Sequence, residues 1–398
     1  MEAHLHMWLS LLVRWSHFIV GIAWIGASFY FNWLENHLRR QNQPDDTAGD
    51  LWAIHGGGFY YLKKFSVAPA ELPASLHWFK WEAYATWLSG MALLIIVFYW
   101  NAQTYMLNPE VSGVTSTTAI AIGILSLLTS WIVYDLLCCS KLSKQEGLLA
   151  GFIFAWFVIL AWALSTWLSG RAAYIHVGAA IGTIMVANVF RVIIPAQKDL
   201  VAAVSQKRTP DASKGQGALQ RSKHNNYLTL PVLFIMISSH YPATYNHPQN
   251  WLVLLLFSLA AIAVRHYFNI RHLPGFRAWP LIPALLLLIG LVIVTAPVTV
   301  QISQDRTSAA IVQIGEIQTV IEQRCSQCHS AAPSFQGFTS APLGIELDSQ
   351  EKLLQHAEKV YQAVVLTRTM PLANLTQMTD RERSLVASWY EGLRAQHR

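Results

Sequence analysis

RCSQCHS, residues 324–330, is a Cys-x-x-Cys-His run. Covalent haem attachment needs this arrangement. Two thiols add across the haem vinyl groups, and the adjoining histidine ligates the iron. The run therefore marks Cys325 and Cys328 as attachment thiols and His329 as the first axial ligand. It decides the fold of the last quarter of the chain. It also fixes which side of a membrane that quarter occupies, because haem c is attached outside the bacterial cytoplasm.

The flanking sequence agrees. IGEIQTVIEQRC (314–325) reads as a helix leading into the attachment site. SQEKLLQHAEKVYQAVVLT (349–367) reads as a second helix, with Asp348 or Ser349 as its cap. TDRERSLVASWYEGLRAQ (379–396) reads as a third, with Thr379 at the N-cap and Glu382 three residues on, a capping box. Helix, attachment site, loop, helix, methionine, helix is the order of a class I cytochrome c. The second axial ligand should be a soft donor before the last helix. TRTMPLANLT (367–376) supplies Met370; the rival, Met378, abuts the last helix cap. His/Met ligation raises the potential of the iron. The competing use of these residues is a zinc site from Cys325, Cys328, His329 and His356, which lacks a second cysteine pair and leaves Met370 without a role.

Upstream, the composition changes. The 398 residues are 53% hydrophobic and 13% charged, too apolar for an ordinary soluble chain. Eight apolar runs approach the ~20 residues needed to cross a bilayer: 8–31, 82–100, 115–137, 148–168, 171–194, 226–241, 250–267 and 280–299. The first has neither a basic leader nor a small-residue cleavage site, so a retained helix is expected. The net charge of +6 does not point to nucleic acid, because the basic residues lie between apolar runs. Sixteen Lys and Arg fall in the loops after odd-numbered runs, against Arg171 alone on the other side before the last run. The positive-inside rule puts the first set in the cytoplasm and both chain ends outside. This agrees with the haem motif. The expected fold is all-α: a polytopic bundle of about eight spans (1–300), a linker (301–310) and a small class I cytochrome c domain (311–398), in a bacterial inner membrane with the haem domain periplasmic.

Ionisable residues inside spans are costly and tend to be functional. Arg14 and His17, three apart on one helix face, fall with His176 and His240 in the outer half. His77, Glu82, Asp135, Asn188, Arg191 and His266 fall in the inner half or its rim. Arg14, His17, His176, His77, Glu82 and Arg191 are the catalytic candidates, with the outer set preferred for its closeness to the haem domain. Two histidines on facing helices would also suit a b-type haem. The inner loop 52–82 carries Gly56, Gly57 and Gly58, either a plain turn or a place of close backbone approach to a ligand. Cys138 and Cys139 are adjacent and are expected to be reduced thiols.

Long strings in the membrane part carry a resemblance: RWSHFIVGIAWIGASFYFNWLE (14–35), HGGGFY (55–60), LHWFKWEAYATWLSG (76–90), HVGAAIGTIMVANVFRVIIPAQ (176–197) and YLTLPVLFIMISSHYP (227–242). They resemble the bacterial membrane-bound urate oxidase, or urate hydroxylase, family of the PuuD type. The resemblance spans essentially the whole chain and implies oxidation of urate to 5-hydroxyisourate. Electrons would pass to the fused cytochrome c and on to a cytochrome c oxidase or other respiratory acceptor. It carries the haem positions onto Cys325, Cys328, His329 and Met370 and no catalytic set onto the membrane domain. The alternative is a non-catalytic, membrane-anchored cytochrome relaying electrons from quinol or a partner dehydrogenase. A bare anchor, however, needs one helix and not eight with buried Arg and His.

Overall fold

Nearly uninterrupted apolar sequence leaves the backbone no partner but itself in lipid, so it coils. The first 36-residue helix, α1 (Glu2–His37), spans ~54 Å at 1.5 Å per residue and outruns the hydrocarbon layer. The computed structural model describes residues 2–108, 111–296, 314–335 and 340–396.

The helix bundle continues with α2 (Trp81–Leu93), which passes into a π-helical stretch, Leu94–Tyr99. Then come α3 (Ser116–Cys139), α4 (Glu146–Trp167) and α5 (Gly170–Ala187). α5 runs through a second π-helical stretch, Asn188–Ile193, into Ile194–Ser205. α6 (Ala212–Ser238), α7 (Asn250–Ile270) and α8 (Leu281–Val294) complete it. Helix starts follow local chemistry: Thr115 accepts from Thr118 N at the start of α3, and Ser169 accepts from Ala172 N at the start of α5.

Among the described residues six helical stretches are long and apolar enough to cross a membrane: His4–His37, Trp81–Tyr99, Ser116–Cys139, Glu146–Trp167, Gly170–Ser205 and Asn250–Ile270. The expected sixth and eighth spans fall on α6 and α8. α6 begins well before the expected residue 226, and its first half is polar. α8 has 14 residues, and the rest of the expected eighth run, from 297, lies outside the described residues, as does the linker 301–310.

The chain is mostly helical but not all-α. Between α1 and α2 the chain forms an antiparallel hairpin of β1 (Thr47–His55) and β2 (Gly58–Phe65), paired from Thr47↔Phe65 to His55↔Gly58. Gly56 and Gly57 make its two-residue turn with φ of 59° and 79°. Positive φ at both central residues is what a type I′ hairpin turn requires. The glycine run thus serves a turn. Trp52, Ile54, Phe59, Tyr60 and Tyr61 on the hairpin are exposed.

α5 is the axis of the bundle. It packs on α2, α3, α4, α6 and α7, and its small residues let neighbours approach. A Cβ on Gly178 would stand 2.5 Å from Ile235 Cγ2 of α6. A Cβ on Gly123 of α3 would collide with the ring of His176.

The C-terminal region has α9 (Ile314–Arg324), α10 (Gln350–Gln355), α11 (Ala357–Tyr361) and α12 (Asp380–Gln396) around a core that includes Ile317, Ile321, Leu353, Val386 and Trp389. Ser349 caps α10, accepting from Lys352 N. The expected single second helix is two, because His356, at φ −108° and ψ 11°, breaks it. The reciprocal capping box is present: Thr379 N donates to Glu382 Oε2 and Glu382 N to Thr379 Oγ1. Asn246 Nδ2, in the α6–α7 connection, donates to Arg368 O at 3.2 Å, so this region meets the bundle at the end where α7 starts.

Close approach at α5 makes a prediction. Gly178→Ala should cost about 1–3 kcal/mol through overpacking against Ile235. Gly182→Ala, with open space around its Cβ, should be neutral or slightly stabilising. Unfolding midpoints in detergent read the difference; equal midpoints would contradict the packing.

Candidate functional site

Buried polar side chains collect on four helices, α3, α5 with its π-helical continuation, α6 and α7. Each collection has to satisfy its own hydrogen-bonding groups, because lipid offers none.

At the outer end, the π-helical stretch after α2 turns Tyr99 onto α5. His176 is fully buried. Its Nδ1 lies 2.8 Å from Ala172 O, a carbonyl that only accepts, so Nδ1 carries the proton. Its Nε2 then accepts from Tyr99 OH at 3.2 Å. Both ring nitrogens are used. Nearby, the Arg171 guanidinium lies over the rings of Tyr105 and Phe98, 5.2 and 5.8 Å from their centroids.

His17 joins α1 to α2. Its Nδ1 donates to Thr86 O at 3.1 Å and also meets Ser89 Oγ at 2.9 Å. Those residues lie five and eight positions from Trp81, about 8–12 Å from the inner end of α2. His17 therefore sits nearer the middle of the bundle than the outer-half position expected for it. Arg14 is exposed and bonds Ser10 Oγ at 3.1 Å. Among the described residues no hydrogen bond or ring contact joins Arg14, His17 and His176 to one another, or any histidine to another.

The inner candidates are also separate. His77 is exposed and stands edge-on to Phe79. It lines a 260 Å³ groove with Trp78 and Gln197. Arg191 is exposed. Glu82 is partly buried, and its Oε2 is enclosed with no partner among the described residues.

The densest polar packing joins Asn188 and Asp135, which the sequence reading placed in the inner half, to Arg221 and Arg265, which it left as loop charges, and to Tyr134, His224, Asn225 and Asn226, which it did not single out. It lies in the first half of α6, whose residues Arg221, His224, Asn225, Asn226 and Tyr227 point around the helix. One group faces α3 and α5. Asn188, fully buried, donates to Tyr134 OH and to Asn225 Oδ1, each at 2.9 Å, and accepts from Arg221 Nη1. Tyr134 OH, its oxygen already accepting, donates to His224 Nδ1 at 2.8 Å. Arg221 Nη2 pairs with Asp135 at 2.7 Å. Every charge in this group is matched. The other group faces α7. Asn226 Oδ1 accepts from Arg265 Nε at 3.0 Å and from Asn269 Nδ2 at 2.9 Å. Arg265 lies over the ring of Phe29 on α1, 4.2 Å from its centroid. The available signal was the polar run His224-Asn225-Asn226 beside an arginine five residues from the end of an apolar helix.

In the C-terminal region His329 Nδ1 donates to Ile345 O at 2.8 Å, which fixes its ring and leaves Nε2 for a ligand. Cys325 and Cys328 are free thiols, Cys325 buried in the core. Met370 packs against that core; Met378 is buried within it. Arg383 Nη1 holds Met370 O at 2.8 Å, and Arg324 Nε ties α9 to Glu382 at 2.9 Å. These residues fit a covalently held, His-ligated haem. Among the described residues no three His, Cys, Asp or Glu gather as a metal cluster.

Residues 3–296 match the family model described as Urate oxidase N-terminal. The chain belongs to that family. The match covers α1 to α8 and stops short of the C-terminal region. No curated protein and no solved structure matches the chain. The family points to a urate-related oxidation and an oxidoreductase, with the helices described above consistent with a membrane protein.

In the C-terminal region, Glu382 supplies a pH test. Burial opposes its charge, but hydrogen bonds from Thr379 and Arg324 outweigh that and hold its carboxyl below the ordinary value of 4.5. A folded pKa below the unfolded one stabilises above the unfolded value and is lost as pH falls through the folded value. Amide protection in α9 and α12 against urea, followed by hydrogen exchange, should therefore weaken below about pH 4.5. Glu382→Gln should start weaker and lose less over that range. An equal acid loss in the variant would contradict this role.

Proposed function

We propose that the chain oxidises urate to 5-hydroxyisourate in a bacterial cytoplasmic membrane and passes the electrons to a haem c on its C-terminal domain, outside the membrane. The observation that carries this reading is that one chain continues from a urate oxidase family match at residues 3–296 into the Cys-x-x-Cys-His run at 325–329. A cytochrome c oxidase or another respiratory acceptor would take the electrons onward.

The balance is simple. Urate takes up one whole water, and two electrons and two protons are released from the pair. A haem c accepts one electron at a time, so two reductions are needed per urate. Cys325 and Cys328 would hold the haem, His329 Nε2 and Met370 would ligate its iron, and Arg383 would position the Met370 backbone. Urate is an anion near neutral pH. Its site needs a cation and a planar apolar face, with a base nearby to take protons. The Asn246–Arg368 bond supports the path. It brings the loop two residues before Met370 against the membrane helices.

The test is anaerobic. Urate added to the purified, haem-loaded protein without oxygen should reduce the haem c, seen in its absorption bands, at two haems per urate consumed. The double variant Cys325→Ala, Cys328→Ala should retain no covalent haem on a denaturing gel and should show no such reduction. Haem that stays oxidised in the intact protein under urate would overturn the proposal in favour of a relay without its own substrate.

A further inference from the structure

Two buried arginines approach the inner end of the bundle, and their surroundings differ. Arg221 is 5% exposed and paired with Asp135. Arg265 is 6% exposed and has no acidic partner among the described residues. Its Nε is bound to Asn226, but its Nη2 is enclosed without a partner. The residues bonded around it repeat the pattern. Asn226 Nδ2 and Asn269 Oδ1 are also enclosed and unpartnered. Six buried side-chain polar atoms among the described residues lack partners, and three of them belong to this one hydrogen-bonded trio.

An enclosed, unmatched guanidinium is costly in lipid, and each orphaned amide atom adds to that cost. Such a cluster is stable when something completes it. The missing partner is defined by the spare atoms. It must offer an anionic or carbonyl oxygen to Arg265 Nη2, a second acceptor to Asn226 Nδ2 and an N–H donor to Asn269 Oδ1. Phe29 covers one face of the guanidinium, and a flat ligand lying in the guanidinium plane would meet Nη2 edge-on. An oxopurine anion has such an edge, with carbonyl oxygens and ring N–H groups alternating. Chloride, sulfate and the phosphodiester group of a lipid bring no hydrogen-bond donor at neutral pH.

We propose that Arg265, Asn226 and Asn269, with Phe29 behind the guanidinium, bind urate near the inner end of α6 and α7. Arg265 lies five residues from the end of α7, about 8 Å along it. This deepens the urate reading and rests on it. It moves the binding site away from Arg14 and His176. There, His176 has no free ring nitrogen and Arg14 is exposed.

Binding is separable from turnover. The full-length, haem-loaded protein is first reduced with dithionite, so that urate binds without being oxidised, and urate is titrated by calorimetry. Arg265→Gln should raise Kd about 10- to 100-fold, the scale of losing a hydrogen bond to a charged group. Arg265→Lys should recover part of the loss, and Asn269→Ala should weaken binding about fivefold. Arg271→Gln, an exposed cation one residue past the end of α7, should stay within about twofold. Unfolding midpoints accompany each variant, and Asn269→Ala carries the test if Arg265→Gln does not fold. Wild-type affinity in folded Arg265→Gln and Asn269→Ala, with urate still reducing the haem, overturns this site and leaves the function standing. No binding and no haem reduction in the wild-type protein overturns the function and the site together.

Discussion

A carboxamide with no exposed surface, Asn188, holds three helices in one register. It sits where α5 passes into π-helix, bonds Tyr134 of α3 and Asn225 of α6, and accepts from Arg221. Removing it would strand a guanidinium contact, a phenol contact and an amide contact, each worth about 1–3 kcal/mol when left buried and unmade. Interhelical hydrogen bonds in lipid are otherwise modest, about 0.6 kcal/mol on average. A node that unites several of them sets how α6 is turned about its axis. That rotation is what sends Arg221 and Asn225 toward α3 and α5, and Asn226 toward α7. The unmatched trio around Arg265 follows from the matched group around Asn188. π-Helical stretches of this kind often mark functional positions, and the first one in the bundle, Leu94–Tyr99, delivers Tyr99 to His176.

The arrangement separates two tasks. The spare hydrogen-bonding capacity lies toward the end of the helices whose loops carry Lys and Arg, while the C-terminal region touches the opposite end through Asn246 and Arg368. From Asn250 to Arg265 the rise along α7 is about 22 Å. An oxidation begun near Arg265 and collected beyond Asn246 must send electrons along most of that length. The membrane helices would then be part of the electron path as well as the substrate site, which a bare anchor would have no reason to be.

Much of this was legible in the sequence, for identifiable reasons. Apolar runs announced α1 to α5 and α7 because lipid-facing helices need no polar face. The Thr379–Glu382 capping box was legible because it depends on four consecutive residues. α6 was misjudged at its start because Arg221, Asn225 and Asn226 point inward among exposed residues such as Lys214 and Lys223, and an average over a window cannot tell a buried amide from a solvated one. For the same reason Arg265 was counted as a loop charge and Asn226 passed unnoticed, since their partners are 39 residues apart in the chain. The hairpin was hidden because its aromatics resemble interfacial anchors; only Gly56-Gly57 recorded the turn. The break at His356 has no Pro or Gly to announce it.

Sidedness tests the central claim most directly: urate binds toward the inner end, and its electrons emerge outside. Sealed membrane vesicles containing the full-length, haem-loaded protein are prepared right-side-out and inside-out. Anaerobic urate is added to each, and the initial rate of haem c reduction is compared. The account predicts rapid reduction in inside-out vesicles, where the inner face meets the added urate, and slow reduction in right-side-out ones until detergent opens them. Rapid reduction in intact right-side-out vesicles, with none gained on opening, would contradict it and place the substrate on the haem side.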